Sequence, residues 1–113
     1  MSRGKFHVLW AETAAADLEE IVAYVAADSP LHARRLLARL KSRVATLEVA
    51  PQRGRVVPEL APFGIRTWRE LVTRPYRVIY RIAGDTVNVS AIFDSRRDLQ
   101  ELLLERLLRE PRK

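Results

Sequence analysis

The chain has 113 residues, of which 48% are hydrophobic and 30% charged, and this composition is typical of one globular domain spanning residues 1–113. It has no cysteine, which excludes a disulfide scaffold, thiol chemistry and a cysteine-based zinc site, and favours a reducing compartment. The net charge is +6, no apolar run is long enough to cross a bilayer and no signal segment opens the chain, so we expect a cytoplasmic protein.

The first half of the chain predicts one strand and two helices. Residues Lys5 to Trp10 alternate loosely and predict a short strand. Residues Glu12 to Ala27 and Leu31 to Glu48 each carry an apolar stripe with the period of an α-helix. Ser29 and Pro30 between them are typical of a helix N-terminus, so we predict an antiparallel helical hairpin.

The second half of the chain changes to the period of strands. Prolines and glycines predict a loop from Pro51 to Gly64. Three segments rich in β-branched and aromatic residues then predict strands: Arg66 to Val72, Tyr76 to Ile82 and Val87 to Phe93. Leucines at helical spacing predict a last helix from Asp98 to Arg109. We therefore expect an α+β fold in the order β-α-α-β-β-β-α, with the helical hairpin packed on one face of a small antiparallel sheet and a C-terminal helix.

Positive charge is concentrated in the middle of the chain. Residues 31–81 hold twelve bases and three acids, whereas residues 1–30 hold two bases and five acids, and residues 82–113 hold six of each. Of the 20 bases, 17 are arginine, whose planar fork matches phosphate and carboxylate groups. A GC-rich genome would also favour arginine over lysine, but it does not explain the uneven distribution.

Alternation in the central strand separates its arginines from its aromatic side chains. Tyr76 and Tyr80 are expected to face the helical hairpin, and Arg77 and Arg81 the opposite, open side. The same alternation places Val87, Val89, Ala91 and Phe93 on one face of the last strand. A basic surface for a phosphate backbone or an acidic segment would then consist of Arg69, Arg77, Arg81, Arg96 and Arg97. The alternative is a solvated face whose arginines pair with Glu70, Asp94 and Asp98.

Residues that could form a catalytic or metal site are sparse. His7 and His32 have no neighbours at ligand spacing, so both are interpreted as surface or packing residues. Asp17, Glu19 and Glu20 are expected to face solvent on the first helix. The isolated glycines form no phosphate-binding loop, and we expect neither a cofactor nor a metal.

Several segments together resemble the RelE/ParE superfamily, the toxins of bacterial type II toxin-antitoxin modules. They are ADLEEIVAYVA at 16–26, PQRGRVVPEL at 51–60, REL at 69–71, YRVIYRI at 76–82 and SRRDL at 95–99. The resemblance covers nearly the whole chain, from Phe6 to Arg109. It implies a toxin that is neutralised by a cognate, ParD-like antitoxin whose disordered C-terminal segment folds over it. Candidate antitoxin-binding residues are Arg34, Arg35 and Arg39 on the second helix.

Members of this superfamily differ in their targets, and the resemblance suggests which branch fits. RelE-like members cut messenger RNA in the ribosome, whereas ParE-like members inhibit DNA gyrase and need no nuclease site of their own. Arg77 and the pair Arg96 and Arg97 match the shared arginine positions. Asp94 stands where RelE-like members commonly have histidine, and a carboxylate ionised at neutral pH is a poor proton donor. A leucine-rich segment replaces a terminal tyrosine.

The resemblance therefore implies a gyrase-inhibiting toxin without a catalytic site, which blocks replication through contacts with gyrase and its bound DNA. The target-binding residues would be the five arginines of the basic surface. A ribosome-dependent mRNA endoribonuclease is the alternative, with the ribosome and mRNA as partners. An inactivated member that serves only as a regulatory partner of the antitoxin is a third hypothesis.

Overall fold

The computed structural model describes residues 5–96 and 100–108. Five strands and three α-helices are present in this part of the chain. They are β1 (His7–Trp10), α1 (Glu12–Asp28), α2 (Pro30–Ala45), β2 (Arg55–Val56), β3 (Trp68–Thr73), β4 (Tyr76–Ala83), β5 (Thr86–Asp94) and α3 (Gln100–Leu108). Short 3-10 turns at Thr46–Glu48 and Ala61–Phe63 complete the described elements. Within these residues no helix is long and apolar enough to cross a membrane.

The strands form one sheet in the order β1-β5-β4-β3-β2, and the helices make the fold α+β as predicted. The expected sheet was wholly antiparallel, which is wrong at one edge. β1 pairs in parallel with β5, because the helical hairpin carries the chain away from β1 and later strands return beside it in the same direction. β2 lies inside the predicted loop, where two residues pair with β3.

The helical hairpin forms as the sequence indicates. The Oγ atom of Ser29 accepts a hydrogen bond from the backbone N–H of His32 at 3.1 Å, and Pro30 occupies the first helical turn, where no intrahelical donor is needed. Leu18, Leu40 and Val44 are buried in the first core cluster with side chains of the sheet. The hairpin therefore covers one face of the sheet. Tyr76 and Tyr80 lie in this cluster, as predicted.

A register shift in β5 changes which residues share a face. The shift lies between Ile79 and Tyr80 of β4, so that Ile79 pairs with Ala91 and Tyr80 with Val89. The extra residue, Ser90, reverses the alternation of β5. Val87 and Val89 pack under the helical hairpin, whereas Ala91 and Phe93 pack on the opposite face. The prediction that these four share one face is therefore wrong.

The second face of the sheet carries its own apolar core, so the expectation of an open arginine face is also wrong. Leu103 and Leu107 of α3 and Leu60 of the loop between β2 and β3 pack there with strand residues. The strand residues are Trp68, Ile79, Ala91 and Phe93. An amphipathic helix and an apolar loop segment thus bury a face that the arginines alone would have left to solvent.

Candidate target-binding surface

Arg77 lies at the centre of an internal ion-pair network. Only 6% of its surface is exposed. Its Nε atom donates to Oε1 of Glu70 at 2.7 Å, and its two terminal nitrogens donate to the two carboxylate oxygens of Glu59 at 2.7 and 2.6 Å. Glu70 also accepts a hydrogen bond from Nε of Arg55 at 2.6 Å. Arg77 is therefore engaged by two carboxylates and is not on an open face, contrary to the expectation from strand alternation.

Electrostatics in this network follow from burial and pairing. The hydrogen bonds to Glu59, followed by those to Glu70, raise the pKa of Arg77 above its ordinary value, although burial opposes them. The guanidinium of Arg77 in turn lowers the pKa of Glu59 below its ordinary value of 4.5. A buried arginine satisfied in this way is fixed in position, and its charge is largely compensated inside the protein.

The lowered pKa of Glu59 predicts acid sensitivity that depends on this residue. The native state binds protons at Glu59 less readily than the unfolded chain, so the contribution to stability is present above pH 4.5 and is lost as the pH falls through the lowered pKa. We expect the stability gap between the wild type and Glu59→Gln to shrink below pH 4.5. Urea unfolding from pH 7 to pH 3 measures it, with the exposed Glu19→Gln as control. A constant gap over this range would contradict the assignment.

A buried tyrosine and a glycine hold the loop that carries Glu59. The backbone N–H of Gly54 donates to Oη of Tyr80 at 3.0 Å, and this hydroxyl donates to the carbonyl oxygen of Pro51 at 2.7 Å. A guanidinium nitrogen of Arg69 donates to the carbonyl oxygen of Gly54 at 2.7 Å. Arg69, predicted to bind a target, is therefore occupied in fastening the loop to β3.

Arg81 and Arg96 lie apart from this network. The guanidinium carbon of Arg81 lies 5.6 Å from the ring centroid of Trp68, a cation–π distance. Arg96 follows β5, and its side chain is mostly exposed and paired with Asp94. The Nε atom of Arg96 donates to Oδ1 of Asp94 at 2.9 Å, and this side-chain hydrogen bond raises the pKa of Arg96. Arg97 lies outside the described residues.

The arginines of α2 form a row that continues beyond the predicted antitoxin-binding residues. Arg34, Arg35 and Arg39 are exposed. Arg35, Arg39 and Arg43 follow at intervals of four and therefore share one helix face. A terminal nitrogen of Arg39 donates to the carbonyl oxygen of Arg74 at 3.1 Å, and Arg43 approaches Thr73 and Val72 at 3.4 Å. The row thus reaches the turn between β3 and β4.

We use the name hairpin-end cluster for Arg39, Arg43, Arg55 and Arg74, after the β-hairpin that β3 and β4 form. A cleft of about 310 Å³ opens beside it, lined by Arg55, Val72, Arg74, Arg77 and Ser95. Arg43, Arg55 and Arg74 are not among the site residues predicted from the sequence. The interval of four along α2 could have identified Arg43, but the positions of Arg55 and Arg74 depend on tertiary structure.

An apolar groove lies between β1 and the helical hairpin. It has a volume of about 610 Å³. Its lining residues are Trp10, Ala15, Leu18, Glu19, Val22, Ala23, Leu37 and Lys41. A groove of this kind suits the apolar face of an amphipathic partner helix. The apolar stripes of the helices were predictable from their periodicity, but the part of the stripes that stays uncovered depends on how the helices pack.

Asp17 does not face solvent, contrary to prediction. Its Oδ2 atom accepts hydrogen bonds from the backbone N–H of Ile92 at 3.0 Å and from a terminal nitrogen of Arg106 at 2.9 Å. Burial raises the pKa of Asp17 despite these bonds. Asp17 therefore links α1 to β5 and α3. The described residues contain no group of three or more His, Cys, Asp or Glu side chains able to hold a metal ion.

Comparisons with known proteins agree with the fold and the sequence pattern. The family model of the ParE toxin of the type II toxin-antitoxin system, parDE, matches residues 8–99. Toxin RelE2 of Caulobacter vibrioides is 37% identical over 86 residues, which cover 75% of this chain and 90% of that toxin.

Two solved structures resemble the chain in fold. The chromosomal ParDE system from P. aeruginosa superposes with a TM-score of 0.66 at 22% identity, covering 80% of this chain and 96% of the matched one. The RelBE2 toxin-antitoxin complex from Mycobacterium tuberculosis gives a TM-score of 0.58, also at 22% identity, covering 82% and 94%. The family match spans most of the sheet and the helical hairpin, and the chain therefore belongs to the ParE family of type II toxin-antitoxin toxins.

Proposed function

We propose that this toxin inhibits DNA gyrase by binding and has no nuclease site of its own. The observation that carries the proposal is that carboxylates already occupy the guanidinium of Arg77. A nuclease of the RelE type needs arginines that are free to contact a phosphate group, but here Glu59 and Glu70 occupy the guanidinium of Arg77. A phosphate could bind Arg77 only by displacing the bidentate Glu59 or the buried Glu70, which is costly.

The end of β5 supports the same conclusion. Asp94, which stands where RelE-like members commonly have histidine, is bound to Arg96 through its carboxylate. An ionised carboxylate held by a guanidinium does not donate a proton to a leaving oxygen. We assign positioning roles to Arg69 and Arg77, and propose that Arg81, Arg96 and Arg97 contact the target.

The test is supercoiling of relaxed plasmid by purified gyrase with the chain in excess. We expect loss of supercoiling. The variant Arg96→Ala, which removes an exposed guanidinium, should require about tenfold more protein for half inhibition, since hydrogen bonds from a charged donor are stronger than neutral ones. Circular dichroism must show that the variant is folded. Full supercoiling at excess folded toxin, together with codon-linked cuts in ribosome-bound mRNA, would instead establish the endoribonuclease.

We further propose that a cognate antitoxin binds the helical hairpin, with apolar side chains in the groove and acids on Arg34, Arg35 and Arg39. The P. aeruginosa and M. tuberculosis neighbours come from such toxin-antitoxin systems. In the supercoiling assay the antitoxin should restore activity, and Arg34→Ala/Arg35→Ala should require more antitoxin for the same rescue. If the same amount of antitoxin restores supercoiling with the variant and with the wild type, these arginines do not contribute to the interface.

A further inference from the structure

We infer that the hairpin-end cluster binds the phosphodiester backbone of duplex DNA directly. The charge of these arginines supports the inference. Arg39 and Arg43 donate to backbone carbonyl oxygens, which orient their guanidinium groups without neutralising them. Across residues 5–96 and 100–108, no ion pair joins Arg39, Arg43 or Arg74 to a carboxylate. Arg39 and Arg43 are therefore held beside the exposed Arg74, and no described carboxylate pairs with these three cations.

The shape of the neighbouring cleft also supports binding of a phosphate. The cleft beside the cluster has about 310 Å³, and Arg55, Arg74 and Ser95 line it together with Val72 and Arg77. Arg77 is engaged by Glu59 and Glu70, so Arg55 and Arg74 are the arginines that could meet a phosphate there. The side chain of Arg55 remains 63% exposed although its Nε atom is bound to Glu70. Guanidinium groups around a concave opening match the tetrahedral oxygens of a phosphate, and the row on α2 continues this charge around the end of the sheet.

The lining of the cleft distinguishes DNA from an acidic polypeptide as the ligand. A docked peptide gains most of its affinity from apolar anchors in pockets, and among the residues that the structure describes Val72 is the one apolar residue that lines this cleft. The apolar groove lies elsewhere, between β1 and the helical hairpin. Nucleic acid binding needs no such anchors, because phosphate contacts supply most of the sequence-independent affinity. The cluster therefore fits a DNA backbone better than a polypeptide.

The inference rests on the proposed function only for the source of the DNA, which would be the duplex held by gyrase. Arg39 belongs both to the cluster and to the proposed antitoxin surface. An antitoxin that covers Arg39 would thus compete with DNA as well as with gyrase.

The experiment measures binding of the antitoxin-free chain to a fluorescent 20-base-pair duplex by anisotropy over a series of salt concentrations, with no gyrase present. With three or four phosphates contacted, we expect log K to fall with log salt with a slope of about −3 to −4. Arg39→Ala and Arg74→Ala should each reduce the magnitude of this slope by about one, and the double variant by about two. Arg66→Ala is the matched control, since Arg66 is also exposed but precedes the other end of β3.

Three outcomes would overturn the inference. They are an equal loss of binding in Arg66→Ala, binding to single-stranded RNA but not to duplex DNA, and tighter binding to polyglutamate than to DNA of equal charge. The result also separates the two proposals. If the chain inhibits gyrase but does not bind DNA, only this inference is contradicted. If it binds DNA but does not inhibit gyrase, only the proposed function is contradicted.

Discussion

Replacing Glu70 with glutamine is expected to destabilise the protein by about 3–5 kcal/mol. The carboxylate of Glu70 is fully buried and bound to both Arg77 and Arg55. The amide preserves the shape of the side chain but leaves the buried guanidinium of Arg77 with half of its compensating charge. A domain of this size has a free energy of unfolding of about 5–15 kcal/mol, so the loss is a large part of the total. Urea unfolding followed by circular dichroism measures it.

Two further variants show whether the effect comes from the buried charge. Arg55→Gln removes the exposed partner of the same carboxylate and should cost less than about 1 kcal/mol. Adding Arg77→Met to Glu70→Gln removes the buried cation, and the double variant should be more stable than Glu70→Gln alone. A loss below about 1 kcal/mol for Glu70→Gln would mean that the network behaves like a surface ion pair.

Gly54→Ala is expected to cost about 2–4 kcal/mol, of which overpacking accounts for about 1–3 kcal/mol and a disturbed hydrogen bond for about 1 kcal/mol. A Cβ atom at this position would lie 2.5 Å from the carbonyl oxygen of Glu70 and 2.5 Å from Oη of Tyr80. Neither atom can retreat easily, because one belongs to a paired strand and the other is buried and hydrogen-bonded. Thermal and urea unfolding provide the measurement.

A double-variant cycle tests this close approach. Tyr80→Phe deletes one of the two atoms in the clash, so Gly54→Ala/Tyr80→Phe should lose less stability than the sum of the single variants. Gly64→Asn is the control for loss of a glycine. Gly64 has a left-handed backbone with φ of 75° and nothing within 4 Å of an added Cβ atom, and asparagine tolerates this conformation. Strict additivity in the cycle would show that Tyr80 does not limit the space at Gly54.

Local patterns predicted the elements well because each pattern depends on near neighbours. The cap at Ser29 and Pro30, the apolar stripes of α1 and α2 and the aromatic side of β4 all occur as expected. The pairing of β1 was not predictable in the same way. Its direction depends on where a distant strand lies, and four loosely alternating residues carry no information about it.

The errors at the site have two causes, an extra residue in β5 and the covering of the second face of the sheet. Strict alternation of side chains assumes a regular pairing of the strands. Because Ser90 is an extra residue in β5, the side chains after it point to the opposite face from the one that alternation predicts. Alternation alone also does not show that α3 and Leu60 will cover the second face. Arg77 was therefore identified as important from its position in the strand, but its role could be read only after Glu59 and Glu70 were located beside it.

The parallel pairing of β1 with β5 has a consequence for synthesis of the toxin. His7 pairs with Thr86 and Trp10 with Val89, so the first strand to leave the ribosome has no partner until most of the chain has been translated. Contacts between residues so far apart in sequence form late and slowly. A nascent or truncated chain that ends before β5 would therefore lack the completed sheet and the Asp94 to Arg96 segment at the end of β5.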